Sequence, residues 1–516
     1  MFTHLHLHTA RGSLLDSILT VEQAVKFAKD NGHKAMALTD HGSMSSFVDF
    51  VKECKKQGIK PIVGNEIYEV DNMDEKNDTK EYYQPRYHLI LLAKTQEGYK
   101  NLLKITSISR TEGFYKKPRI DIDYINKNNL GKGIICSTAC QAGRLSRYIV
   151  NGEEQKAIDF MHKLQDTFDY VVCELQSHET DAQIYANRLI HFFIMKNKLP
   201  YIITTDAHML SNDLIDSHAM FVEIGESREV GESYTDCYLQ TEEEIYSKMS
   251  SYFSTDIIRI GLEETNKIAD MVEDIDIGLN KGNIMPKVNI EGGYEDHKEY
   301  LRHLVFSTFE EKFGHMSKEE QQIRRERIET ELPVLYAVDY TDYFIMLYML
   351  AKEAKKRGIP LGYSRGSGAN CLCLFMLNVT QIDSVKWDLD FSRFANLGRK
   401  SMADFDWDIS KRRRKEMVEI SEELFGKENV APIATFNTLS TKVAIRDIGK
   451  VLNDKKDHPY YQQIPYTMRD EVAKMIPTIK TLNDLGEEEE KDVLLKDILS
   501  KNKKLEEINF CKWKNS

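Results

Sequence analysis

Over residues 1 to about 280, short apolar runs alternate with stretches of helical periodicity. Ala35-Met36-Ala37-Leu38-Thr39, Pro61-Ile62-Val63-Gly64, Leu89-Ile90-Leu91-Leu92-Ala93, Gly133-Ile134-Ile135-Cys136 and Tyr201-Ile202-Ile203-Thr204-Thr205 read as buried parallel strands, because near-continuous apolar runs of this length need cover on both faces. Helices are predicted between them, such as Thr20 to Asn31, opened by Thr20 with Glu22 and Gln23 in its first turn. The repeated βα pattern predicts a barrel or a doubly wound sheet. Asn280 to Tyr294, rich in Gly, Asn and Pro, predicts a connecting loop. A mostly helical stretch is expected over 296–357, a compact α/β region over 360–435, and a helical, strongly charged segment to the end.

Polar residues gather where the apolar runs stop. In His4-Leu5-His6-Leu7-His8, strand alternation turns His6 and His8 to one side. Asp16 follows a Gly-Ser turn. Asp40-His41-Gly42 and Gly64-Asn65-Glu66 end two runs, Tyr87-His88 precedes a third, Cys140 follows a fourth, and Asp206-Ala207-His208 ends a fifth. In a parallel α/β fold, the carboxyl ends of the strands open on one face. These segments therefore deliver imidazole, carboxylate and thiolate to one mouth, a donor set suited to zinc or a similar transition ion. Nine donors exceed the need of one four-coordinate ion, so two or three ions are expected.

Composition changes this picture in three respects. A length of 516 residues with 41% apolar positions suggests roughly three domains. No window has the long uncharged apolar run of a membrane span, and the N-terminus lacks the regions of a signal peptide. A cytoplasmic protein is expected. The 8 cysteines are scattered, which predicts reduced thiols and not a disulfide framework. A net charge of −12 argues against nucleic-acid binding, but clustered acids at metal sites account for part of it. Charge is also uneven. Lys411-Arg412-Arg413-Arg414-Lys415 is a basic run, and Glu487 to Glu490 reads as a solvated acidic helix face.

The order HxH, D, DHG, GxE, YH, Cys, DxH resembles the PHP domain at the start of bacterial C-family polymerase α subunits. That resemblance implies a distorted βα barrel with a trinuclear Zn2+ or Mn2+ centre. All nine positions of the family's ligand set are matched: His6, His8, Asp16, His41, Glu66, His88, Cys140, Asp206 and His208. It further implies metal-assisted phosphodiester hydrolysis, as a 3′→5′ exonuclease.

A second constellation lies beyond it. Gly362-Tyr363-Ser364-Arg365-Gly366-Ser367-Gly368-Ala369-Asn370 precedes an apolar helix, Cys371 to Leu377. A Gly-Ser turn there offers backbone N–H groups and a hydroxyl to a phosphate. In Met402-Ala403-Asp404-Phe405-Asp406-Trp407-Asp408, alternation sets three aspartates on one face, a repulsive arrangement that divalent cations would relieve. Gly-Ser followed by DxD resembles the palm of nucleotidyltransferases related to polymerase β. Arg393-Phe394-Ala395-Asn396, Thr435-Phe436-Asn437-Thr438 and Lys442-Val443-Ala444-Ile445-Arg446-Asp447-Ile448-Gly449 continue the α-subunit order. The resemblance implies that Asp404 and Asp406 hold Mg2+, with Asp408 behind them, and that Gly366 and Ser367, with Arg365 or Arg399, contact the triphosphate. Ser364, Asn370 and Ala403 depart from the family pattern without removing a metal ligand.

The expected organisation is thus α/β: a PHP-type distorted βα barrel (1–280), an incomplete polymerase-β-like α/β palm (281–435) and a helical thumb (436–516). Primer-template DNA and dNTPs are the implied partners. The family palm has a third carboxylate after the thumb, so a second polypeptide carrying it and the fingers is expected, as in a split or phage-type polymerase. The sliding clamp would be reached only through that part. An apolar edge left by a half-palm predicts self-association. An autonomous phosphoesterase and a non-catalytic replisome scaffold are the competing readings.

Overall fold

The computed structural model describes residues 2–77, 84–226, 236–279, 288–290, 292–398, 404–436, 438–454, 463–482 and 488–493. The chain divides into two compact units, Met1–Ile277 with Phe436–Ser516, and Gly278–Thr435.

The first unit is mixed α/β, built on β1 (Ala35–Leu38), β2 (Lys60–Glu69), β3 (Tyr87–Ala93), β4 (Arg119–Ile120), β5 (Ile134–Ser137), β6 (Tyr170–Gln176) and β7 (Tyr201–Thr204). These form one sheet in the order β1-β2-β3-β5-β6-β7, with β4 also against β2. Pairs β1/β2, β5/β6 and β6/β7 are parallel, but β3 is antiparallel to both β2 and β5. This corrects the parallel strand expected at Leu89–Ala93. Parallel neighbours need a crossover, usually a helix, and the described residues between β2 and β3 hold none. Two further readings change. Glu66 lies inside β2, not at its end, and pairing outlasts β1 as a bridge from His41 to Glu66. Strand β6 escaped the apolar pattern because Glu174 and Gln176 interrupt it.

The N-terminal segment completes the sheet. The carbonyls of His4 and Leu7 accept from the amides of Ala37 (2.8 Å) and Thr39 (2.9 Å), while the His8 amide donates to the Ala207 carbonyl (2.8 Å). One short stretch therefore joins the β1 side to the end of β7. Phe2, Leu5 and Leu7 are buried with Leu38, Ile90, Leu91 and Ile203 in the core. Each such side chain contributes about 1.5–3 kcal/mol. The helix expected from Thr20 forms as Val21–Asp30. The Thr20 hydroxyl accepts from the Gln23 amide, and the Gln23 side chain accepts from the Thr20 amide, a reciprocal cap of two free donors.

The same unit includes helices Thr441–Asp454 and Tyr466–Lys474 and an antiparallel pair, Thr478–Leu482 with Glu488–Asp492. Glu488 to Glu490 of the acidic run are therefore strand and not the expected helix face, and Glu487 lies outside the described residues. On a helix the run would bring Glu487 and Glu490 together at i,i+3, where like charges oppose the fold. Strand pairing instead registers Glu490 opposite Lys480 and Glu489 opposite Thr481.

The second unit is mostly helical. His297–Ser307, Phe309–Phe313, Lys318–Ala337 and Thr341–Lys356 fill the predicted helical stretch and bury Phe313, Leu335, Phe344 and Phe394. The expected α/β character over 360–435 is not found. Among the described residues the backbone pairs there only through the bridge between Leu361 and Ile409, because the extended aspartate segment has no second neighbour to build a ladder. Among the described residues no single helix is long and apolar enough to cross a membrane. Lys318–Ala337 and Thr341–Lys356 pass only as a pair bent by 115°.

Helix Gln96–Thr111 approaches the turn before β5 so closely that a Cβ on Gly98 would lie 1.7 Å from the Gly133 carbonyl oxygen. Gly98→Ala is expected to lower the urea midpoint by the equivalent of roughly 2 kcal/mol. An unchanged midpoint would show that the helix can move away freely.

Candidate metal centre

His6 and His8 leave the N-terminal segment on the side opposite Leu5 and Leu7, and both are fully buried. Their Nδ1 atoms face supporting groups, Glu174 Oε1 at 2.6 Å from His6 and Ser13 Oγ at 3.0 Å from His8. Their Nε2 atoms face each other at 3.1 Å and the Asp206 Oδ1 at 3.0 and 3.3 Å. Glu66 reaches the same point, with its oxygens 3.5 Å from His6 Nε2, 3.4 Å from His8 Nε2 and 3.1 Å from His88 Nδ1. Asp16 lies 2.8 Å from His41 Nε2 and 3.3 Å from His208 Nε2. The Cys140 sulfur is 3.5 Å from His88 Nδ1.

All nine predicted residues thus meet in one place. Three overlapping groups have donor atoms within 4.8 Å of one another: His8, His41 and His208; His6, His8 and Asp206; and His41, Glu66 and His88. His88 joins only because β3 is reversed. His88 is the second residue of β3, and the amino end of a strand would lie at the wrong end of a parallel sheet.

The electrostatics of the site set charged neighbours against burial. Burial opposes charge on His6, but Asp206, Glu174 and Glu66 raise its pKa well above the ordinary imidazole value. Burial likewise opposes charge on His41, which Tyr68, Glu66 and Asp16 raise. His8 is driven down by burial and by neighbouring His41 and His208. Against the effect of burial, surrounding histidines hold Glu66 and Asp206 well below the carboxylate range. Burial, with Glu66 and Asp206 nearby, keeps the Cys140 thiol protonated. Both Glu66 oxygens and Asp206 Oδ1 are buried without a hydrogen bond of ordinary geometry, a state that is costly for a carboxylate. Nitrogen, oxygen and sulfur donors with such atoms fit divalent ions.

Sequence reasoning missed Glu174. It accepts from Ser137 (2.6 Å) and Thr204 (2.7 Å) while holding His6. A charged residue inside a valine-rich strand was the available signal.

In the second unit, Asp404, Asp406 and Asp408 are exposed, and Phe405 and Trp407 between them are half-buried. The predicted alternation is present without a ladder. Trp407 donates to the Val379 carbonyl (2.9 Å). Arg365 faces Asp408 (3.4 Å) and Asp406 (3.9 Å), exposed pairs of small energetic weight. Gly366, at φ +60°, has Asp406 Oδ2 as the nearest atom to a built Cβ, at 3.8 Å, so the Gly-Ser turn adjoins the aspartates. Ser367 follows in the turn of Gly366–Asn370. Arg399 lies outside the described residues. The three aspartates are not among the convergent donor groups of the described residues.

One expectation is corrected. The helix amides after the Gly-Ser turn are not open to a phosphate. Leu372 and Cys373 donate to the buried Glu331 carboxylate at 3.0 and 2.9 Å, and Arg327 donates to it at 2.7 Å. The seven described cysteines are all free thiols.

Two outcomes follow from the centre. Because His6 and His41 hold protons in the metal-free chain, cations must displace them. Mn2+ affinity is expected to weaken as pH falls, with proton release seen as a buffer-dependent calorimetric heat; a pH-independent affinity would contradict the protonation pattern. Glu174→Ala, which frees His6 to rotate, is expected to weaken Mn2+ binding roughly 10–100-fold, and equal affinity would deny it that role.

Two family models match the chain. The PHP domain covers residues 4–178, and the bacterial DNA polymerase III alpha NTPase domain covers residues 299–513. The DNA polymerase III subunit alpha of Aquifex aeolicus is 32% identical over 92% of this chain and 41% of its own length. That of Helicobacter pylori strain J99 is 35% identical over 92% of this chain and 40% of its own length. Among solved structures, a putative metal-dependent phosphoesterase from Bifidobacterium adolescentis aligns over 49% of this chain and 97% of its own, at 13% identity and a TM-score of 0.26, too low to support an argument. The chain spans about two-fifths of the length of these curated relatives. By sequence it corresponds to the N-terminal portion of bacterial DNA polymerase III subunit alpha, with a PHP domain followed by the NTPase/palm region.

Proposed function

We propose that this chain belongs to a replicative DNA polymerase and carries its metal-dependent phosphodiesterase centre, which removes nucleotides from a DNA 3′ end. The observation that carries this reading is the buried assembly of His6, His8, Glu66 and Asp206, with carboxylate oxygens and ring nitrogens 3.0–3.5 Å apart. His41, His88, His208, Asp16 and Cys140 complete the proposed ligand set of a distorted βα barrel. Two or three Zn2+ or Mn2+ ions held there would polarise the phosphate and acidify an attacking water. The chain's own part is to fix geometry. Glu174 and Ser13 orient His6 and His8, and the interior position of Glu66 and Asp206 keeps them from being solvated away from the site.

For the second unit, nucleotidyl transfer is the supported reading, with Asp404 and Asp406 as the Mg2+ ligands of a palm and Gly366, Ser367, Arg365 and Arg399 toward the triphosphate. It is supported by the adjacency of the Gly-Ser turn and Asp406 and by the family match. The relatives are more than twice as long, so transfer is proposed for this chain joined to the part they carry beyond it, on the same or a second polypeptide. Residues 436–516 are assigned to a thumb. Primer-template DNA and dNTPs are the proposed partners, the sliding clamp is met through the further part, and the bacterial cytoplasm is the proposed location.

Chain loaded with Mn2+ is expected to shorten a labelled primer from its 3′ end, and a His6→Ala, His8→Ala variant to leave it intact. Shortening by that variant, or none by the wild type, would sink the hydrolytic reading. With the remaining polymerase segment supplied, dNTP-dependent extension is expected to vanish in Asp404→Ala, Asp406→Ala and to persist in the His6, His8 variant.

A further inference from the structure

A cleft of about 270 Å³ opens beside the candidate centre, with His41, His88, Cys140, Asp206 and His208 in its lining. It falls just below the usual range of ligand pockets, the scale of one nucleotide residue and not of a base pair. Histidines apart, Arg147 is the one cationic side chain among its lining residues.

Arg147 stands on the helix Arg144–Val150, which follows directly on the loop of Cys140 and is tied to β3 by the bridge between His88 and Gly143. Its neighbour one turn back, Arg144, is buried and held by Glu69 at 2.7 and 3.0 Å and by Asp71 at 2.6 Å. Arg147 is different. It is exposed, and its guanidinium makes no hydrogen bond or ion pair with the described residues. In a chain of net charge −12, an exposed guanidinium beside a cluster of carboxylates is available to an anion. The planar guanidinium matches a phosphate with two parallel hydrogen bonds.

The neutral wall is ordered as well. Gln141 donates to Gln183 (2.9 Å), Gln183 donates to Asn187 (3.0 Å), and Asn187 donates to the Gln176 carbonyl (2.7 Å). This relay sets the orientation of both glutamine amides. It leaves the Gln141 carbonyl oxygen as an acceptor in the cleft.

We propose that Arg147 is the phosphate-positioning residue of this cleft, receiving a phosphate of a single unpaired nucleotide residue whose hydroxyl or amino donors meet Gln141. The inference rests on the hydrolytic reading of the same site and narrows its substrate to single-stranded ends.

The test uses inorganic phosphate as probe, with the Mn2+-loaded full chain in a calorimeter and metal content measured in parallel. Arg147→Ala is expected to weaken phosphate binding roughly 10- to 150-fold, with unchanged metal content and melting temperature. Arg147→Lys, which keeps the charge and loses the two-pronged geometry, should fall between. Equal binding by Arg147→Ala, no binding by the wild type, or loss of metal from the variant would each overturn the proposal. The two readings separate cleanly. If phosphate binding depends on Arg147 but no variant shortens DNA, the anion site stands and hydrolysis falls. If the wild type shortens DNA and phosphate binding ignores Arg147, the reverse holds.

Discussion

The candidate metal centre depends on one closure, the hydrogen bonding of His4–His8 to both the β1 side and the end of β7. A strand end pinned on one side could swing, and two imidazoles on a swinging end would not hold an ion. Pinned on both sides, His6 and His8 stand at fixed height above Leu5 and Leu7. Donors from the loops after β1 and β7 then face them across a few ångströms. The same closure buries the site, and burial makes each ionic contact strong and each unmatched carboxylate costly. Strand β3 supplies the other constraint. Its reversal carries His88 to the mouth that the parallel strands open by their carboxyl ends.

Nine titratable groups in so small an interior cannot all take their ordinary charge. Protons distribute so that His6 and His41 are cationic beside anionic Glu66 and Asp206, while His8, pressed between like rings, stays neutral. The aspartates of the second unit, Asp404, Asp406 and Asp408, are exposed to water, and the segment that carries them is anchored by the half-buried Phe405 and Trp407 between them. One site is assembled by the fold. The other is a solvated face fastened at its back, with the Gly-Ser turn beside it and Glu331 holding the helix that follows.

The sequence by itself determined the donors. HxH alternation, acids and imidazoles at the ends of apolar runs, and a capped helix at Thr20 are local patterns, set by side-chain period and by the few residue types that bind metals or close helix ends. They were enough to identify all nine residues that meet and the alternation of the aspartates. Only the tertiary structure decided what depends on partners distant in the chain. Strand direction was one such matter, since an apolar run reads the same in a parallel or antiparallel ladder; β3 was therefore misread. Pairing was another. Glu488 to Glu490 became strand because Thr478–Leu482 was there to meet them, and the aspartate segment, among the described residues, pairs through a single bridge. Supporting residues were the third. Glu174 and Glu331 carry no motif, because a carboxylate that orients a histidine or caps a helix is recognisable only once folding has brought its partner within hydrogen-bond reach.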